Sequence, residues 1–161
     1  METLVVIDVQ KGYMKPEYAG LPDRIRKHID HSGYDHILFG KFMNQKGSNF
    51  VRLLGQDNFY DPEETNIVPE LADLAVPERT FERTAYSLFK SSKFRAYLEG
   101  EGIRRMDLCG LVADSCVLAT AFEGFDLGYE MRVLRRPMET KENLIDPTEA
   151  IFKRNIDRRI P

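Results

Sequence analysis

The chain has 161 residues, 42% of them hydrophobic and 30% charged, with a formal net charge of −3. That is the size and balance of one soluble globular domain, here taken as 1–161. The charge argues against nucleic acid or an acidic membrane surface as partner. The densest basic cluster, Lys153, Arg154, Arg158 and Arg159, is broken by Asp157 and reads as a solvated helix end. Leu4–Ile7 is too short for a secretory leader and is interrupted by Asp8, and no stretch is apolar enough to cross a membrane. Two cysteines, Cys109 and Cys116, are too few for a disulfide framework, so a reducing cytoplasm is the expected setting.

In chain order, residues 3–9 form an apolar, β-branched run that predicts a buried strand. A helix follows over 21–31, with Leu21, Ile25, His28 and Ile29 at helical spacing and Gly33 beyond it. A second strand is expected over 36–42, then a loop over 45–62 with a short helix at 48–54. Residues 80–83 read as a short strand, 92–99 as a helix and 106–111 as a strand. A helix over 115–127 ends at Gly128. Residues 129–134 read as a strand, and Pro147 as the first position of a last helix reaching about Asn155. Strands alternating with helices, without hairpin signals, imply an α/β, Rossmann-like three-layer fold. It would be an open parallel sheet of about five to six strands with helices on both faces.

In such sheets the ligand crevice lies at the carboxyl ends of the strands. Asp8, Arg83 and Cys116 fall there: a carboxylate, a cation and a thiol at one edge. Cys116 follows a strand and a tight turn and opens a helix, where the dipole favours thiolate and free N–H groups can hold an oxyanion. Cys109, inside a strand, reads as a buried small hydrophobe. Asp8 is either an acid/base group or a structural ion-pair or cap residue. Tyr13, Phe42, Tyr86 and Phe89 fall near the same edge and are candidate pocket walls, although aromatic side chains there also suit a core.

Three blocks carry a resemblance to the isochorismatase-like, nicotinamidase-related cysteine hydrolases. They are Val5-Val6-Ile7-Asp8-Val9-Gln10, Arg83-Thr84-Ala85-Tyr86-Ser87-Leu88-Phe89, and Gly110 to Val117 continuing through Ala119-Thr120-Ala121 to Gly128-Tyr129. The resemblance implies an Asp-Lys-Cys triad, with Asp8 as acid/base, Cys116 as nucleophile and Arg83 at the lysine position. It also implies a cis peptide between Leu111 and Val112, with the N–H groups of Val112 and Cys116 as oxyanion donors. The reaction implied is hydrolysis of a C–N bond in a small amide through a thioester, without a cofactor, in a homodimer or homotetramer. The 45–62 loop is a candidate subunit face. Arg83 departs from the pattern. It keeps the charge but is larger, forked and does not give up its proton. Ala113 departs too, where the family has Thr, and so does Arg135-Arg136, where many members have an acidic residue. Nicotinamidases in this family add a metal site after the second strand. The matching stretch, Lys41 to Lys46, holds no histidine, so no metal is expected, and His28 and His31 read as a solvated helix face. Two other readings stand beside this one: a binding or regulatory protein on a degenerate scaffold, motivated by Arg83, and a redox-sensing cysteine.

Overall fold

The computed structural model describes residues 2–156, apart from the side chain of Glu142. Asp157, Arg158 and Arg159 of the basic cluster lie outside the described residues. Five parallel strands form one sheet in the order β3-β2-β1-β4-β5. These are β1 (Thr3–Ile7), β2 (His36–Phe42), β3 (Thr80–Arg83), β4 (Arg105–Gly110) and β5 (Glu130–Met138). The helices are α1 (Leu21–Asp30), α2 (Asn49–Leu54), α3 (Pro62–Thr65), α4 (Ser92–Gly100), α5 (Leu118–Asp126) and α6 (Glu142–Asn155).

The central strand is buried on both faces, which is why it reads as unbroken apolar sequence. Its side chains alternate. Val5 and Ile7 join a core with Phe94 and Leu98 of α4, Ala121 of α5 and Phe152 of α6. Leu4 and Val6 join the opposite core with Leu21, Ile25 and Ile29 of α1. Helices therefore cover both faces, as expected.

The element boundaries shift in three informative places. The first strand ends at Ile7, because Asp8 turns out of the sheet at φ 54. The fifth strand continues to Met138, with a register shift opposite Leu108 and Gly110 that takes in Arg135 and Arg136. The last helix begins at Glu142, so Pro147 lies inside it rather than at its start. At that depth proline removes only the bond to the Asn143 carbonyl, a loss the rest of a 14-residue helix outweighs.

Candidate active site

Strand order places β1 between β2 and β4, so the ends of β1 and β4 flank the point where the winding reverses. Asp8 occupies the left-handed region just past β1, a conformation that its short polar side chain tolerates better than most. Its N–H still donates to Gly40 O at 3.0 Å. Across from it, Gly110 ends β4 at φ +112, and a Cβ there would lie 2.1 Å from Ile7 O. Only glycine allows the two strands to approach this closely. The chain then passes through a cis Leu111–Val112 peptide, as the resemblance implied. A single π-helical turn over Ala113–Val117 follows, carries Cys116 and leads into α5. Arg83, the last residue of β3, is in register with Phe42 of β2.

These elements bring Asp8, Arg83 and Cys116 together. Nη2 of Arg83 donates both to Asp8 Oδ2 and, at 2.9 Å, to Cys116 Sγ. Nη1 donates to Ala85 O, and the guanidinium lies 4.9 Å from the centre of the Phe42 ring, a cation–π distance. Asp8 Oδ1 and Arg83 Nε are buried without a hydrogen-bond partner. The side chains of Asp8 and Arg83 are wholly buried, and Cys116 is 4% exposed.

Burial dominates the electrostatics. The Cys116 thiol is pushed up to about 12, first by desolvation and then by the Asp8 carboxylate, with Arg83 pulling the other way. The thiolate-favouring effect expected at a helix start is therefore not the controlling one here. The cysteine sits within the π-turn, packed against the core. Desolvation also raises Asp8 above the usual carboxylate range despite the pull of Arg83. Burial alone would lower Arg83, but Asp8 and Cys116 hold it firmly protonated. A carboxylate and a thiol thus lie beside one permanent cation, both with raised proton affinity. That arrangement can pass a proton between oxygen and sulfur.

Around these three side chains, the four aromatic wall candidates separate. Tyr13 stacks on Phe59 with ring centres 4.2 Å apart, and the nearby charges of Asp8 and Cys116 add to burial in keeping its hydroxyl protonated. Phe42 packs against Phe50 and Phe59 as well as Arg83. Tyr86 meets Phe50 at 4.9 Å. Phe89 packs on Phe94 and Tyr129, and both it and Phe42 are fully buried. A cleft of about 430 Å³ opens beside this aromatic group, lined among others by Phe50, Leu53, Leu54, Ala85 and Tyr86. Sequence reasoning missed two buried amides. Gln10 bonds to the backbone of Phe42 and Thr65. Asn44 bonds to Gln56 O and Asn58 O and accepts from Gln45 N–H and Ser48 Oγ. Gln10 closes the first of the three sequence blocks, but nothing in its spacing marks the role of its side chain.

Elsewhere, His28 bonds Tyr34 Oη at 3.0 Å and His31 bonds Lys27 O at 2.8 Å. Among the described residues no three His, Cys, Asp or Glu side chains converge as a metal site, and no helix is long and apolar enough to cross a membrane.

Known proteins share this architecture. An isochorismatase-like hydrolase from Alkaliphilus metalliredigens superposes with a TM-score of 0.83 at 17% identity, over 94% of this chain and 90% of that one. N-carbamoylsarcosine amidase from Thermoplasma acidophilum gives 0.82 at 21%, over 96% and 92%. Nicotinamidase PncA from Bacillus subtilis gives 0.74 at 19%, over 96% of each. Among curated proteins, the ureidoacrylate amidohydrolase RutB from Azorhizobium caulinodans is 35% identical over 63 residues, 39% of this chain. The match spans 26% of that relative's length. The isochorismatase domain model matches residues 2–141. With most of its length matched in this way, the chain belongs to the isochorismatase domain family.

Proposed function

We propose that this protein is a cysteine-dependent hydrolase that cleaves the C–N bond of a small amide through a thioester. One observation carries the reading: a single guanidinium nitrogen, Arg83 Nη2, bonds both Asp8 Oδ2 and Cys116 Sγ. The names of the amidase and amidohydrolase relatives support the same bond class.

In the first half-reaction, Asp8 takes the Sγ proton as sulfur attacks the carbonyl carbon. The raised proton affinity of Asp8 suits it to that task. Arg83 offsets the charge while the proton moves, and the N–H groups of Val112 and Cys116 hold the oxyanion. Asp8 then returns the proton to the leaving nitrogen, the C–N bond breaks, and the acyl group remains on sulfur. In the second half, Asp8 deprotonates water, the hydroxide attacks the thioester, and the carboxylic acid leaves as Cys116 regains its proton. No cofactor or metal enters the scheme. Residues 1–161 act as one domain, in the cytoplasm, as a homo-oligomer.

Cys116→Ala should lower hydrolysis of small amides by about 10³-fold or more. Amide hydrolysis retained in that variant sinks the mechanism. Arg83 and the high thiol pKa favour one rival, a binding protein on the same scaffold. Under that rival the native chain hydrolyses no amide, and Arg83→Lys gains turnover.

A further inference from the structure

Asp8 leaves the sheet just after the last paired residues of β1 and β2, Ile7 and Gly40, while β2 continues to Phe42. In a parallel ladder continued by two residues, Phe42 N–H would meet Asp8 C=O, and Phe42 C=O would meet Gln10 N–H. Those two β1 groups bond each other instead, Gln10 N to Asp8 O at 2.8 Å. The Gln10 side chain fills the gap. Its Oε1 accepts from Phe42 N–H at 2.8 Å and its Nε2 donates to Phe42 O at 2.9 Å. The second Nε2 hydrogen goes to Thr65 O of α3 at 2.8 Å. Gln10 is 0% exposed, so water cannot replace these bonds. A primary amide has the donor and acceptor pattern of the peptide unit it replaces, plus one more donor.

Phe42, clamped in this way, is the residue whose ring lies under the Arg83 guanidinium and whose backbone is in register with Arg83. We propose that Gln10 is the positioning residue of the site: its side chain stands in for the missing ladder, allowing Asp8 to turn out of the sheet while Phe42 and Arg83 stay aligned against it. This role rests on the hydrolase reading only where turnover is the readout. A shift of the order of 1 Å in that alignment is enough to slow a reaction about a hundredfold.

The test uses the full chain with Gln10→Glu and Gln10→Leu. Glutamate keeps the shape but, when ionised, faces Phe42 O and Thr65 O with no donor; leucine keeps the approximate volume only. Turnover of a simple primary amide such as benzamide is measured across pH, beside the pH midpoint of Cys116 alkylation by iodoacetamide and the melting temperature. Both variants should lose at least about tenfold in kcat near pH 7.5 with KM changed less than about threefold. Both should also move the alkylation midpoint by about half a pH unit or more. Gln10→Glu alone should recover about threefold or more relative to wild type towards pH 5.5, where a buried carboxyl regains its proton and one donor. A purely structural clamp would lower the melting temperature and leave kcat within about twofold and the midpoint unmoved; that result, or equal acid recovery in both variants, overturns the proposal. If Gln10→Leu does not fold, the acid recovery of Gln10→Glu decides alone. Wild type that hydrolyses no amide, or Cys116→Ala that still does, removes the hydrolase reading, and the alkylation midpoint still judges Gln10.

Discussion

Two buried aspartates on the same sheet each pair with an arginine, and the two pairs are built differently. Asp107 sits mid-strand in β4, directly opposite Arg132 of β5. Both its oxygens are satisfied: Oδ1 by Arg132 Nε at 2.8 Å, Oδ2 by Arg132 Nη2 and by the Tyr34 hydroxyl at 2.8 Å. Arg132 is 39% exposed, so its charge is shared with solvent. The Asp8–Arg83 pair spans two strands' width at the carboxyl end, excludes solvent, and leaves Asp8 Oδ1 and Arg83 Nε unpaired. Its aspartate holds a left-handed backbone and its arginine also touches a thiol. The Asp107 pair is a finished cross-strand staple. The Asp8 pair is left chemically incomplete, and unpaired buried polar atoms in a native protein call for such an explanation.

Substitution should separate the two pairs most sharply. Asp8→Asn removes the proton acceptor and should lower amide turnover by about 10³-fold or more in steady-state assays. Asp107→Asn should leave turnover per folded molecule within about twofold but cost about 2–3 kcal/mol in urea unfolding, below the full penalty for a buried pair because Arg132 remains solvated. Equal loss of activity in both would erase the distinction. A backbone change at the incomplete end sharpens it further. Gly110→Ala places a methyl against Ile7 O and should cost about 3 kcal/mol or more, or prevent folding, as read by calorimetry.

An effect absent at neutral pH concerns protons. In the unfolded chain Cys116 ionises near its ordinary value of 9, but in the folded chain only near 12. Above pH 9 the folded state therefore holds the extra proton, and stability falls as pH rises through 9 towards 12. This alkaline loss of stability should vanish in Cys116→Ala, as read by urea unfolding across pH. Cys109, buried and pushed in the same direction, adds an alkaline slope that remains in both proteins.

Much of this was legible in the sequence because periodicity and composition report burial. The unbroken apolar run of β1, the alternation of strand and helix, and the convergence of Asp8, Arg83 and Cys116 at one edge all follow from that signal. Cooperation between a side chain and distant backbone leaves no periodic trace. Gln10 reaches the backbone of Phe42 and Thr65, 32 and 55 positions away, Asn44 reaches that of Gln56 and Asn58, 12 and 14 away, and neither stands out by spacing. The start of α6 was misplaced because a proline more often opens a helix than sits within one. For Phe89 the sequence leaves wall and core open, because an aromatic residue near a strand end suits both; its packing on Phe94 is core-like.

The place of β1 at the centre of the sheet bears on how the molecule comes to exist at all. Asp8 lies 75 residues from Arg83, and Arg83 lies 33 from Cys116. Each joins the others only when β1 has acquired parallel neighbours on both sides. Pairings so distant along the chain must close large loops before they repay that entropy, which makes them late events. A nascent chain that has not yet laid down β4 can hold Asp8 and Arg83 but has no thiol to set beside them. The meeting of all three side chains therefore waits for β4 to pair with β1.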